Sequence, residues 1–356
     1  MKTLAWIDRG IAQLSPGYFA LVMATGIISN AMFFTGHRHI SDALFAVALV
    51  ALLWLVLVTL LRIARHRAAM KKDMINPRLV FSFFTIVAAL DVFGGGLCLR
   101  GLNAVALPIW FLAFAIWFFL LYFSFGVLTF LNKAEEANVI HGGWLIAIVG
   151  TESLVILGSQ IAPLMGEHAR AIFVLIHMLW GVGLGLYAIF VTLFAHRVFF
   201  FEVKPDDFSS LLWIVMGAAA ISTNAGSILI LTDSKIAFLH SIRPFIDGIT
   251  LLMWAWAAWL IPLLLMFDIW KHVVRREPVV YTPLLWSLVF PLGMFALASA
   301  RLSLASDFTL LRDVSYVMVW IALIAWLAAA IGLVAALQQS FSTFARAPVR
   351  AANRRK

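Results

Sequence analysis

From Gly17 to Leu337 the chain alternates between apolar runs about twenty residues long and short polar joints. The runs fall near 17–34, 42–61, 79–97, 108–131, 143–162, 170–195, 209–231, 245–270, 282–302 and 312–337. At 1.5 Å per residue, each suffices for an α-helix across the ~30 Å hydrocarbon core of a bilayer. The joints leave no stretch for a separate soluble domain. The prediction is an all-α polytopic membrane protein whose ten transmembrane helices occupy 16–338, with an N-terminal segment (1–15) before them and a basic tail (339–356) after. In the first segment Leu4, Trp6, Ile7, Ile11 and Leu14 recur at helical spacing, which predicts a short helix lying at the membrane surface. It has neither the h-region nor the small-residue cleavage site of a signal peptide, and is expected to stay in the mature chain.

The runs are of two kinds. Odd-numbered ones are rich in small and polar residues. The first carries Gly17, Thr25, Gly26, Ser29 and Asn30; the third Asp91 and Gly94-Gly95-Gly96; the fifth Gly150, Thr151, Glu152 and Ser153; the seventh Gly217, Ser222, Thr223 and Asn224. Even-numbered runs are bulkier, and Trp110, Phe111, Phe114 and Trp117 in the fourth are expected to face lipid or a neighbouring subunit. Successive odd runs start about 60–75 residues apart, the mark of a repeated two-helix unit. Small residues permit close helix packing anywhere in a membrane. Their restriction to every second run predicts five tandem helical hairpins around a central pore, with the odd helices inside.

The ninth run, Tyr281 to Leu302, is interrupted near its middle by Phe290-Pro291, with Gly293 two residues on. Pro291 offers no N–H to the carbonyl of Ser287, which predicts a break in the helix. A break at membrane depth is tolerable only where protein or water satisfies the freed backbone groups. Two readings stand: an aromatic ring projecting into an internal cavity, or a kinked core helix with Phe290 packed on its neighbours.

Composition sharpens the class. Hydrophobic residues make up 63% and charged ones 12% of the chain, against roughly 25% charged in soluble proteins. The single Cys98 excludes a disulfide framework and any cysteine-based metal site. The formal charge of +9 has a topological cause: nineteen of the 26 lysines and arginines fall at the N-terminus, in the joints after even-numbered runs, and in the tail. The positive-inside rule then places both termini in the cytoplasm. The dense stretch Arg62 to Arg78 and the tail (Arg346, Arg350, Arg354, Arg355, Lys356) express this bias, with anionic lipid as a secondary partner and no nucleic acid. Most of the nine histidines lie near run ends, with only His177 clearly inside one. H-E-x-x-H, G-x-S-x-G and a Gly-rich phosphate loop are all absent. An enzyme, such as a membrane haem or metal oxidoreductase, is a poor fit, and neither cofactor nor metal is expected.

Leu14-Ser15-Pro16-Gly17-Tyr18-Phe19 leading into Ala24-Thr25-Gly26, the stretch from Trp144-Leu145 to Gly150-Thr151-Glu152-Ser153, and Trp286 to Gly293 resemble the tellurite-resistance/C4-dicarboxylate transporter family, which includes the plant slow anion channels. The resemblance spans Ser15 to Leu337. It implies five hairpins around a quasi-five-fold pore in each subunit, a homotrimer with three separate pores, and a pore gate at Phe290 and Pro291. Substrates across that family include malate and other dicarboxylates, chloride, nitrate and sulfite, so the resemblance implies transport of small anions across the cell (inner) membrane more narrowly than it implies which anion. A proton-coupled dicarboxylate carrier, or an exporter of tellurite or sulfite, is the alternative.

Such a path needs weak sites, because a strongly binding fixed cation would slow exit. No lysine or arginine lies in the middle of an odd run; Arg301 sits near the end of the ninth. The pore-lining candidates are therefore Thr25, Ser29, Thr151, Ser222, Thr223 and Ser287 as hydroxyl donors, with Gly26, Gly150 and Gly293. The alternative is that the hydroxyls bond back to their own helices. Two carboxylates fall deep in odd runs, where an ionised group costs about 2.5–3.5 kcal/mol. Glu152 either carries a proton alongside the anion or is structural; Asp91, just before an expected break at Gly94-Gly95-Gly96, is expected to be structural, and pairing with Arg100 or Arg301 is one structural reading of either.

Overall fold

Each apolar run folds as a helix, and the polar joints set its ends. The computed structural model describes residues 2–131, 142–202 and 209–353. The basic residues Lys133, Lys204, Arg354, Arg355 and Lys356 and the histidine His141 lie outside the described residues. The amphipathic N-terminal segment forms α1 (Lys2–Ala12). The first hairpin pairs α2 (Phe19–Phe34) with α3 (Arg38–Arg65), and the short α4 (Arg67–Met74) follows in the basic joint. The second and third pair α5 (Phe84–Leu99) with α6 (Asn103–Gly126), and α7 (Ile146–Ile161) with α8 (Ala169–Phe200). In the fourth, α9 (Ile214–Leu231) leads through α10 (Ala237–Ser241) to α11 (Arg243–Ile269). The fifth pairs α12 (Trp286–Ser306) with α13 (Thr309–Asn353).

Among the described residues nine stretches are long and apolar enough to cross a membrane. The longest, Gly142–Phe200, has 59 residues and folds back at Gly166 (φ 54°) into α7 and α8, so ten helices cross. The turn inside every hairpin contains one residue at positive φ: Gly36, Gly101, Gly166, Lys235 and Asp307. The helix must be stopped and the chain reversed within a few residues at each of these points, which the left-handed conformation does.

The hairpins close into a ring. α2 packs on α5, α5 on α7, α7 on α9, α9 on α12, and α12 back on α2. Each outer helix covers its own inner partner and also touches the inner helix of the next hairpin. In their most apolar stretches α2, α5, α9 and α12 are 78–94% buried, against 17–28% for α3, α6, α11 and α13. The alternation of small-polar and bulky runs is thus an alternation of inner and lipid-facing helices. A 3₁₀ turn precedes each inner helix (Pro16–Tyr18, Val80–Phe83, Gly142–Leu145, Ser210–Trp213, Pro283–Leu285), and these five turns pack on one another as a second ring. The inner helices therefore run parallel, with their N-terminal ends gathered at one mouth.

Indole groups lock the two layers. Trp117 Nε1 on α6 donates to Thr151 Oγ1 on α7 (2.8 Å), and Trp110 Nε1 to the Leu154 carbonyl (2.9 Å). Trp180 on α8 donates to the Ser222 carbonyl on α9 (3.2 Å), Trp254 on α11 to Ser299 Oγ on α12 (2.9 Å), and Trp326 on α13 to Thr25 Oγ1 on α2 (2.8 Å). Four of the five junctions between hairpins carry this link. At the fifth, α3 meets α5 through Phe45 stacked on Phe93 (4.7 Å) and Arg100 paired with Asp42 (2.8 Å).

Three expectations need correction. α12 runs through Pro291 without interruption, because the fixed φ of proline is itself helical and the single lost bond falls near the N-terminal end. α5 likewise runs through Gly94–Gly96. Those glycines answer packing demands: a Cβ at Gly94 would meet Leu157 of α7 at 2.5 Å, and one at Gly96 would meet Phe45 of α3 at 2.8 Å. Trp110 and Trp117 do not face lipid; both are buried with their indoles turned to the inner ring, while Phe111 remains exposed.

Candidate functional site

All five inner helices contribute to one cavity of about 20 Å³ inside the ring, space for about one water. Its polar lining is Asn30 from α2, Asp91 from α5, Ser153 and Gln160 from α7, Asn224 from α9 and Arg301 from α12, interleaved with Ile27, Val92, Ile156, Met294 and Leu297. Helical periodicity explains the selection. Met294, Leu297 and Arg301 are spaced i, i+3, i+7, and Ser153, Ile156 and Gln160 repeat that spacing, so each set forms one stripe. Arg301 is buried; its Nη1 donates to Asn224 Oδ1 (3.0 Å) and its guanidinium lies 5.2 Å from the Phe34 ring. Ser153 Oγ donates to Asp91 Oδ2 (2.8 Å), and Asp91 Oδ1 is buried with no partner. Asn30 donates to the Val92 carbonyl (3.1 Å), while its Oδ1 is also unpartnered. Neither Asp91 nor Glu152 is ion-paired with Arg100 or Arg301 among the described residues.

Phe290 extends the α12 stripe. It precedes Met294 by four residues, which places it on the same helix face about 6 Å nearer the N-terminal mouth. Its ring is 1% exposed. The backbone around it is clamped from both sides. A Cβ at Gly217 of α9 would meet Pro291 Cγ at 2.7 Å, and a Cβ at Gly293 would meet Ile27 and Ile28 of α2 at 2.8 Å. Ser287, one turn earlier on the same side, is buried.

The hydroxyls named from the sequence go mostly elsewhere. Thr25 and Thr151 receive outer-helix indoles, as above. Ser29 donates to the Ser41 carbonyl of α3 (2.7 Å). Thr151, Ser222 and Thr223 donate to carbonyls four residues back, at 2.8–3.0 Å. A hydroxyl in a helix has that acceptor always at hand. Gly26 and Gly150 face α5, where a Cβ would lie 3.0 Å from Val92 and 3.1 Å from Phe84 respectively. These positions hold the inner helices together, whereas the cavity is lined by Asn30, Asp91, Ser153, Gln160, Asn224 and Arg301. The spacing back from Phe290 would have pointed to Arg301.

Glu152 and Asp91 are buried differently. Ser222 Oγ of α9, with its single hydrogen shared between the Ala218 carbonyl (2.9 Å) and Glu152 Oε1 (3.3 Å), is the polar neighbour of the carboxylate, which fills the space above Gly183 of α8 so tightly that a Cβ there would collide with it. Glu152 therefore lies at the α7–α8–α9 junction, while Asp91 lines the cavity. His177 is satisfied within α8, its Nδ1 donating to the Phe173 carbonyl (2.7 Å). Among the described residues no three His, Cys, Asp or Glu side chains group as metal ligands.

Electrostatically the ring is polarised. Five parallel helices present their positive dipole ends at the N-terminal mouth, and Arg301 supplies a full positive charge within the cavity. Asp91 lines the same cavity. Comparison with known proteins identifies the class. The family model for voltage-dependent anion channels matches residues 13–334. An uncharacterized transporter of Methanocaldococcus jannaschii is 23% identical over 325 residues, 89% of this chain and 93% of that protein. An uncharacterized membrane protein of Mycobacterium tuberculosis strain H37Rv is 36% identical over 142 residues, 40% of this chain and 71% of the relative. Ten crossing helices closed into a five-hairpin ring, matched over nearly their whole length by that model, make this multi-pass membrane protein a member of the voltage-dependent anion channel family.

Proposed function

We propose that small anions cross the membrane along the ring axis, and that the Phe290 ring, backed by Pro291, is the constriction that gates them. The observation carrying this reading is the shared stripe: Phe290 stands in line with Met294, Leu297 and Arg301 on the face of α12 that lines the cavity. An apolar ring at that point excludes water and so blocks ions. The N-terminal mouth, with the bulk of the lysines and arginines on its side, is the cytoplasmic one, and a homotrimer in the cell (inner) membrane is the assembly that the family resemblance implies. The single guanidinium, sharing its cavity with a carboxylate, favours a small inorganic anion over a C4-dicarboxylate such as malate, which needs charge complements at both ends. Replacing Phe290 with alanine should raise anion conductance per folded protein in planar bilayers, measured beside thermal stability. An ordinary core residue would behave otherwise: the variant would lose about 3–5 kcal/mol of stability with no gain in current, and that result would sink the gate.

A further inference from the structure

Resting on the anion-path reading, we infer that the axial cavity, which in this structure has room for about one water, widens to take up an anion together with a proton, and that Asp91 is the residue that holds the proton. Asp91 and Arg301 line the same cavity from α5 and α12. With Asp91 ionised, the cavity contains one charge of each sign, and the carboxylate repels an approaching anion. With Asp91 protonated, the Arg301 charge stands uncompensated and a new O–H donor faces the solute. The two oxygens differ. Oδ2 lies 2.8 Å from Ser153 Oγ, whose single hydrogen goes either to Oδ2 or to the Gly150 carbonyl (2.8 Å), while Oδ1 is buried and unpartnered. With the Ser153 hydrogen directed to Oδ2, Oδ1 is the oxygen left to carry the proton and to donate it to the anion.

No other group around α5 does this work. α2 contains no ionisable side chain, and the 3₁₀ turn before it brings only Tyr18. α6 offers Tyr122, which is exposed. α3 brings Asp42, paired with Arg100 at the C-terminal end of α5. Cys98 lies on α5 itself, two turns beyond Asp91. α7 carries Glu152, whose Oε2 is likewise buried without a partner, but it sits beside Ser222 and Gly183 and does not line the cavity. The 3₁₀ turn ahead of α5, Val80–Phe83, is uncharged. Proton and anion then favour each other's binding by the same factor, as linkage requires. For a monovalent anion the pair that crosses is neutral, and the proton enters from and returns to water at the two mouths.

The test uses the full-length protein and nitrate, whose charge is constant between pH 5 and 8. In liposomes the wild-type nitrate flux should rise as pH falls, by up to about tenfold per pH unit, the limit for one linked proton. An imposed pH gradient should drive nitrate uphill at zero voltage. Asp91→Asn keeps an acceptor for Ser153 without a titrating group, and its flux should be independent of pH and of the gradient. Glu152→Gln should follow the wild-type profile. A wild-type flux indifferent to pH, or an Asp91→Asn profile like that of wild type, would overturn the inference. A second measurement needs no variant: nitrate added to weakly buffered wild-type protein should draw one proton per bound anion from solution, and no uptake is equally fatal. Lack of flux for every anion tried would count instead against the anion path, with proton uptake still deciding the role of Asp91.

Discussion

Glu152 is ionisable and fully enclosed among three helices, with its Oε2 buried and unpartnered. Ser222 Oγ lies 3.3 Å from its Oε1, and Gly183 supplies the space that any side chain would take. Replacing Gly183 with alanine drives a methyl group into the carboxylate and should cost about 1–3 kcal/mol, the usual range for overpacking, seen as a lower melting temperature in detergent. Glu152→Ala in the same chain should recover much of that loss, since the two side chains compete for one volume. A Gly183→Ala protein that melts like wild type would show that Glu152 has room to move. The hydroxyls make a related point. Thr25 and Thr151 look like pore residues in sequence, yet each is occupied by a tryptophan of the outer layer.

Helices in this protein are held less by apolar burial than a soluble bundle would be, since lipid is as apolar as leucine. Directional contacts between layers carry correspondingly more. Trp326 shows the pattern, reaching from α13, the last crossing helix, to Thr25 on α2, the first, and so closing the ring. Trp326→Phe preserves the ring packing but removes the donor. The expected loss is about 1 kcal/mol, a typical net hydrogen bond. Double-mutant analysis with Thr25→Val should then return a coupling energy of that size, measured by reversible unfolding in mixed micelles; purely additive effects would mean the indole bond contributes nothing. Most element boundaries were legible to within a few residues because apolar length and turn residues set them; α13 is the exception, running on to Asn353 through the basic tail expected from 339. Continuity through Pro291 and Gly94–Gly96 was not, because Gly217, Leu157 and Phe45, which clamp or crowd those segments, come from other helices.

The assembled molecule presents a broad apolar exterior. Outer helices expose Trp54, Phe118, Tyr122, Trp259 and Ile324 among many others. Such a surface is covered by lipid, by further subunits, or by both. The proposed homotrimer should appear in native mass spectra from mild detergent as three copies of a 39.5 kDa chain, and a monomer that persists across detergents and added lipids would refute it.

Membrane class, the count of ten crossing helices and the two-layer, five-hairpin plan follow from the chain's own order of residues. Their causes are local or periodic: run length against bilayer thickness, lysine and arginine bias, and the alternation of small-polar with bulky segments. Phe290 was singled out by the proline that follows it and by its place midway along the ninth run, and its role as a gate is the proposal that the conductance measurement tests. The identity of the cavity was not. Whether a buried polar side chain faces the axis, the next inner helix or the outer layer depends on rotation about the helix axis, and a single step of 100° moves it from one to another. Adjacent residues Glu152 and Ser153 fall on opposite sides of that decision, one at the α7–α8–α9 junction and one beside Asp91 in the cavity. Inner helices small and polar on nearly every side have no apolar stripe to announce their rotation. Packing of all five against one another sets it, and with it which carboxyl group shares the cavity with Arg301.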